Sequence, residues 1–289
     1  MLTEEQIQRY NRDGYLVVKN FITLDDCQKL KGAGDRIIDA WEPERDNPWL
    51  FSNVENKIHS SHQYLIDSSD KASCFPEDDA VNPETGKLNQ DKRASVRRIG
   101  HNLHMLVPEF KRVTFSDNVK AVLHDLDFIQ PAIRQSLLTF KQPFIGTKVS
   151  PHQDGTFVYN DPLKVVNILI GLEDATLGNS CVFFIPGSHS EPIRSRFIRN
   201  PDEKEFKEGK MFVTVGEDKK YDDAEFVPAE MKAGDCVLIH GQVVHKSDKN
   251  TSPISRQIYA ITAIETHNST YSKENWLQPV TPFPLVYDN

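Results

Sequence analysis

The sequence predicts a mainly β protein with flanking helices, built on a double-stranded β-helix core of the jelly-roll, cupin-like kind. Three observations carry this expectation. A helical set comes first. After roughly residue 126 the chain breaks into many short β-prone runs separated by Pro, Gly and Asp-rich turns. Its 289 residues, free of internal repeats, suffice for one large core that needs no staples. The expected organisation is a single domain over 1–289, with a helical and lid part over roughly 1–125 and the jelly roll over roughly 126–289.

Taken in order, residues 3–12 read as a helix, because Thr3 and Gln6 spell a capping box. Residues 14–21 are apolar and aromatic enough for a strand or extended edge. Thr23 then offers an N-cap, and 27–41 carries leucines and isoleucines at helical spacing. Residues 42–94 turn polar, with Asn, Asp, Ser and Pro interrupting any period, so loops and short turns are expected; a stretch of that length is more typical of a lid than of filler. Leu103, Leu106, Phe110, Val113, Val119 and Val122 predict one or two helices over 101–125. Strands are expected at 133–140, 165–172, 181–185, 226–228, 236–239 and 257–265. The charged segment 201–225 fits a second lid or an exposed loop equally well.

Composition removes several functions. At 38% hydrophobic and 26% charged the chain is globular, and no apolar run reaches the ~20 residues that cross a bilayer. The start has no basic flank before an apolar stretch, and the last residues are not of the Ser-Lys-Leu kind, so a cytosolic location is expected. Four scattered cysteines form no Cys-x-x-Cys pair, which disfavours disulfides and thiolate zinc. A net charge of −8 leaves no broad basic face for nucleic acid. No hydrolase elbow, Walker loop or dinucleotide fingerprint is present.

The chemistry gathers around Ser150-Pro-His152-Gln-Asp154. On an extended chain His152 and Asp154 project from one face, which brings an imidazole and a carboxylate together. A lone His-x-Asp is usually structural. A third ligand would complete the two-His-one-carboxylate arrangement that leaves open positions on non-haem iron. His240 and His245 lie five residues apart and would face opposite ways on a straight strand. His245 is preferred because Arg256 follows it by eleven residues, across the turn-prone stretch 248–253. That spacing suits two adjacent antiparallel strands, one ending in a metal ligand and the next presenting a planar fork that grips a dicarboxylate. His59 with His62 and His101 with His104 lack a carboxylate at a matching offset; these, with His124 and His189, are read as structural.

Several longer stretches carry a resemblance: Ile99-Gly-His-Asn-Leu-His104, Val149-Ser-Pro-His-Gln-Asp154, Phe184-Ile-Pro-Gly-Ser-His189 and Ile239-His-Gly-Gln-Val-Val-His-Lys-Ser247. Through them, and over nearly its whole length, the chain resembles the phytanoyl-CoA dioxygenase family. The resemblance implies that His152, Asp154 and His245 ligate Fe(II), and that Arg256, helped by Ser247, pairs with the distal carboxylate of the cosubstrate 2-oxoglutarate. It further implies that Leu137 and Leu169 line the cosubstrate pocket and that Arg98 stands near its other carboxylate. A close relative carries lysine at the Arg98 position and larger side chains at Leu137 and Leu169. The implied reaction consumes O2, releases succinate and CO2 and hydroxylates a small-molecule substrate, and Asp154 occupies the position that related halogenases leave open for halide. The substrate itself does not transfer, since Arg194, Arg196 and Arg199 read as a solvated strip rather than a phosphate site. Two rivals stand beside this reading: a cupin-like isomerase using another divalent ion, and a non-catalytic binding or sensing module. Arg256 argues against the first, and retention of all three ligands with Ser247 argues against the second.

Overall fold

The computed structural model describes residues 1–47, 54–217 and 219–289, with 54–60 described as backbone. Thr3 and Gln6 form the capping box: Gln6 N donates to Thr3 Oγ1 at 3.2 Å and Thr3 N to Gln6 Oε1 at 2.9 Å. They open α1 (Glu4–Asp13), which Gly14 ends in the left-handed region at φ 79°. After β1 (Tyr15–Val18), Thr23 accepts from Asp26 N at 3.0 Å and starts α2 (Leu24–Ala40).

The stretch 42–94 corrects the expectation of loops. It holds α3 (Pro43–Asp46), α4 (Val54–Asp67), β2 (Ala72–Pro76) and α5 (Lys92–Ser95). Tertiary packing supplies what the polar composition withholds: Leu65 and Ile66 of α4 lie against a buried cluster of Met211, Phe212, Trp276 and Leu277. Next come β3 (Val96–His101), α6 (Leu103–Leu106), α7 (Pro108–Thr114) and α8 (Asp117–Asp125). Three helices stand where one or two were expected, because Pro108 at the first turn of α7 forces a new start.

The remaining elements are β4 (Pro131–Lys141), β5 (Val149–His152), β6 (Asn160–Asp161), β7 (Val165–Gly171), β8 (Val182–Phe184), β9 (Ser195–Arg199), α9 (Glu203–Lys207), β10 (Phe212–Gly216), β11 (Val227–Ala229), β12 (Cys236–His240), β13 (His245–Ser247), β14 (Arg256–Glu265) and β15 (Thr270–Tyr271). All six expected strands are present. A seven-stranded sheet in the order β1-β12-β7-β14-β4-β3-β2 faces a four-stranded sheet in the order β11-β8-β13-β5. Together they make the jelly roll, in which every pairing of named strands is antiparallel.

Alternation along β14 shows how the large sheet is used. Tyr259, Ile261 and Ala263 point outward into a core shared with α2, α7 and α8, and Ile258, Ala260 and Thr262 point inward and line a cavity. Each large side chain buried on the helical side contributes about 1.5–3 kcal/mol. The Tyr259 hydroxyl, hidden in that layer, shares a 2.6 Å hydrogen bond with Thr114 Oγ1. Gly34 lets α2 approach β4, since a Cβ there would stand 2.4 Å from Leu138 Cδ2. Between the sheets one end is filled by Phe184, Val237, Val243 and Ile258. The rest is a cavity of about 450 Å³.

Two expectations about connections are corrected. β13 and β14 are not neighbours: β13 belongs to the small sheet and β14 to the large one. Residues 248–255 cross from sheet to sheet, so His245 and Arg256 stand on opposite walls of the cavity. Buried Asn250 pins this crossing, its Nδ2 donating to Lys141 O at 3.1 Å, Gln142 O at 3.3 Å and Ile254 O at 2.8 Å. The second correction concerns β9. Arg196 donates to Ser272 Oγ at 3.2 Å and lies 4.1 Å over the Tyr159 ring, and Arg199 Nε donates to Trp276 O at 3.0 Å. These arginines tie the β9–β10 hairpin to the segment after β14 instead of standing in solvent, whereas the exposed Arg194 pairs with Glu191.

Candidate functional site

The small sheet brings two imidazoles side by side. His152 ends β5, His245 begins β13, and the two are cross-strand partners with ring centroids 4.2 Å apart. The chain stays extended through Gln153 (φ −106°, ψ 137°) and turns into a 3₁₀ turn at Asp154, so the carboxylate returns toward the same point. Asp154 Oδ1 lies 3.6 Å from His152 Nε2 and 3.7 Å from His245 Nε2. Among the described residues these three form the one group of His, Cys, Asp or Glu with donor atoms close enough to share an ion, all within 4.8 Å.

The outer atom of each ligand is occupied. His152 Nδ1 lies 2.8 Å from Ser150 O and His245 Nδ1 3.1 Å from Val243 O, which assigns the proton to Nδ1 and leaves the Nε2 lone pairs facing inward. Asp154 Oδ2 accepts from Asn167 Nδ2 at 2.6 Å, leaving Oδ1 toward the imidazoles. Burial presses the His245 imidazole down to about 4, so it is neutral. Burial also works against the Asp154 charge, but the neighbouring His245 and His152 and the Asn167 hydrogen bond outweigh it and hold the carboxyl at about 2. Two imidazole nitrogens and one carboxylate oxygen converging in a partly dry site fit a divalent cation; burial lowers His152, but Asp154 and the Ser150 carbonyl outweigh it and raise that imidazole, so an ion bound there competes with a proton.

Opposite them, the large sheet contributes positive charge. Arg256 opens β14, is 5% exposed, and has no acceptor at Nε or Nη1. Burial lowers its guanidinium to about 10, so it stays charged at neutral pH. Arg98 on β3 pairs across to Thr139 and lies 4.5 Å over the Phe75 ring; burial, then the charge of Arg97, brings it down to about 9. Leu137 and Leu169 face each other across Ala260 and form an apolar step in the cavity floor. Gly100 makes room for the first of these, since a Cβ there would stand 2.3 Å from Leu137 Cδ2. Ser247 lines the cavity near Arg256, but its hydroxyl donates to Ser180 O at 3.0 Å, so as placed its oxygen can only accept.

His240 stands apart, its ring 5.1 Å from that of His189 and outside the cavity lining. His104 bonds Ser136 Oγ at 2.8 Å within the core, as a structural histidine would. His59 lies outside the described side chains, and the His62 ring packs 5.0 Å from that of Phe212. His101, read as structural, does bond Ser68 Oγ at 2.9 Å, yet it also lines the cavity. The sequence reading missed Asn167, Gln135, Arg134, Phe157, Phe197 and Trp276, all of which line the cavity. Asn167 was within reach, because it lies two residues from Leu169 on the same strand and so shares its face. Among the described residues no helix is long and apolar enough to cross a membrane.

Comparison with known proteins follows the same lines. A family model described as phytanoyl-CoA dioxygenase matches residues 10–258. A phytanoyl-CoA dioxygenase domain-containing protein 1 from Danio rerio is 40% identical, covering 99% of both chains. Phytanoyl-CoA dioxygenase 1 of Oryza sativa subsp. japonica is 36% identical, over 100% of this chain and 98% of its own. Among solved structures, the non-heme alpha-ketoglutarate-dependent carbocyclase SnoK from nogalamycin biosynthesis superposes with a TM-score of 0.64 over 98% of this chain and 96% of its own, at 15% identity, which is a likeness of fold. With a model match that takes in His152, Asp154, His245 and Arg256, and relatives aligned end to end, the chain belongs to the phytanoyl-CoA dioxygenase family.

Proposed function

We propose that this protein is an Fe(II)- and 2-oxoglutarate-dependent dioxygenase that hydroxylates a small-molecule substrate. The observation that carries this reading is the pairing of two incomplete sites across one cavity: three inward lone pairs from His152, Asp154 and His245, and the acceptor-free guanidinium of Arg256. A metal alone would need only the first. A dicarboxylate that also reaches the metal needs both.

His152 Nε2, Asp154 Oδ1 and His245 Nε2 would hold the ion. Arg256 would bind the distal carboxylate of 2-oxoglutarate, with Arg98 toward the other and Leu137 and Leu169 against its chain. Ser247 joins Arg256 if its hydroxyl turns from Ser180. When bound, iron and 2-oxoglutarate supply the activation of O2, with release of succinate and CO2 and oxidation of a C–H bond. The protein's own work is to bind, orient and exclude water. Asn167 keeps Oδ1 of Asp154 turned inward, and the ring pair of Phe157 and Phe197, 5.8 Å apart, screens the His152 side. Because Asp154 supplies a carboxylate ligand, hydroxylation is the expected outcome rather than halogenation. Four buried cysteines without a disulfide fit work in the reducing cytosol.

The test is anaerobic addition of Fe(II) and 2-oxoglutarate to apoprotein, watching for the weak visible charge-transfer band, then admission of O2 and assay of succinate. Band and succinate are expected from the wild type, and a much weaker band from Arg256→Ala at equal 2-oxoglutarate. No band at saturating ligand would overturn the reading in favour of a metal-binding protein without this cosubstrate.

A further inference from the structure

Counted over its described lining residues, the cavity contains more positive charge than the proposed cosubstrate can neutralise. Arg98, Arg134 and Arg256 all line it, and none forms an ion pair with a carboxylate among the described residues. Lys246 also lines it but is matched by Asp223 at 2.5 Å. Among the described lining residues Asp154 is the one carboxylate. Three guanidinium charges against one carboxylate leave two in excess. A divalent ion adds two and 2-oxoglutarate removes two, so the excess survives in a site where an unpaired buried charge is costly.

Position separates the arginines. Arg98 pairs with Thr139, which faces Ile258, two residues from Arg256, so these two share one end of the cavity. Arg134 belongs to the other end. It sits at the β4 bulge opposite the step from Thr262 to Ala263. Thr262 lies six residues beyond Arg256 along β14, about 20 Å at the usual rise of a strand. 2-Oxoglutarate anchored at Arg256 is far shorter than that. Beside Arg134, the cross-strand row of Gln135, Thr262 and Asn167 reaches the metal ligands, since Asn167 holds Asp154.

The surroundings of Arg134 bury it without satisfying it. It is 2% exposed, Nε donates to the Tyr271 hydroxyl at 3.1 Å, and the Trp276 ring lies 4.8 Å away, yet neither terminal nitrogen meets an acceptor. A bulge is what turns it inward: Gln135, Leu137 and Thr139 follow strand alternation into the cavity, whereas Arg134 is out of step with them and lines it all the same. Gln135 Oε1 and Asn167 Oδ1 are likewise without donors, so the same end lacks partners of both kinds.

Resting on the dioxygenase reading above, we propose that the prime substrate is a small polar carboxylic acid whose carboxylate is drawn to Arg134, beside the metal ligands. Its hydroxyl or amine groups face Gln135 and Asn167. The volume accommodates a small acid beside the cosubstrate, with about 450 Å³ between the sheets.

The experiment uses the full chain loaded with Mn(II) and 2-oxoglutarate, a redox-silent complex, at constant ionic strength. Acetate, glycolate and benzoate are compared with acetamide, glycolamide and benzamide by thermal shift and titration calorimetry. The expected result is that carboxylates raise Tm and their amides do not. Arg134→Gln should weaken carboxylate binding about tenfold to a hundredfold, with 2-oxoglutarate affinity unchanged. Arg134→Lys, which keeps the charge and loses the fork, should fall between them and serves if the glutamine variant does not fold. Equal binding of acids and amides, no shift from any acid, or an undiminished acid effect in the folded variants would overturn the inference while leaving the dioxygenase reading intact. Failure of the wild type to bind 2-oxoglutarate on Mn(II) would bring down both.

Discussion

The two sheets of the jelly roll divide the chemistry between them. The small sheet, with strands of three or four residues, supplies electron pairs through His152 and His245. The large sheet, with strands as long as eleven residues, supplies positive charge through Arg98, Arg134 and Arg256. Asp154 stands between them, tied to the large sheet by Asn167. Cations that carry no partner demand a rigid, well-packed wall, and the large sheet has one because helices cover its other face. The metal ligands need only three atoms brought to a point, which short strands accomplish. Binding a cation on one wall and an anion on the other makes the two events separable.

That separation can be attacked directly. The largest effect is expected from Asp154→Ala or His245→Ala: succinate formation falls to background, and Mn(II) no longer stabilises the fold, whereas in the wild type Mn(II) at a hundred times its Kd adds about 2.7 kcal/mol. Calorimetry with and without the ion reads this. Arg256→Ala should come next, raising the Kd for 2-oxoglutarate about tenfold to a hundredfold while the Mn(II) stabilisation stays intact. An equal loss of metal affinity there would break the division of labour. Asn167→Ala probes the link between the walls and should weaken metal affinity about tenfold, read by Mn(II) titration followed by electron paramagnetic resonance. The smallest functional effect belongs to Gly100→Ala. Its Cβ would meet Leu137 Cδ2 at 2.3 Å and push that side chain toward the cavity. A loss of about 1–3 kcal/mol in thermal unfolding and a few-fold change in 2-oxoglutarate affinity are expected, with metal binding untouched.

Much of this was legible because it depends on alternation and on residue chemistry. The pairing of His152 with Asp154 follows from a period of two, and an arginine fork suits a buried dicarboxylate, whereas Leu137 and Leu169 were reached only through the family resemblance. What escaped did so for definite reasons. Arg134 is out of phase with Leu137, and a bulge, which leaves no local mark in the residue types, turns it inward. Helix α4 was hidden because Ser, Asn and His interrupt its apolar positions and its stability comes from distant partners such as Trp276. The spacing from His245 to Arg256 was read as a hairpin, and nothing in residues 248–255 distinguishes a turn within one sheet from a passage between two.

That passage acts as a gauge block. Because Asn250 holds it to Lys141 and Gln142 at the end of β4 and closes it on its own Ile254, its span sets the gap between the metal wall and the anion wall. Adding or removing a residue there would leave each wall complete and put them out of calibration, so metal and 2-oxoglutarate would each still bind alone while their joint complex was lost.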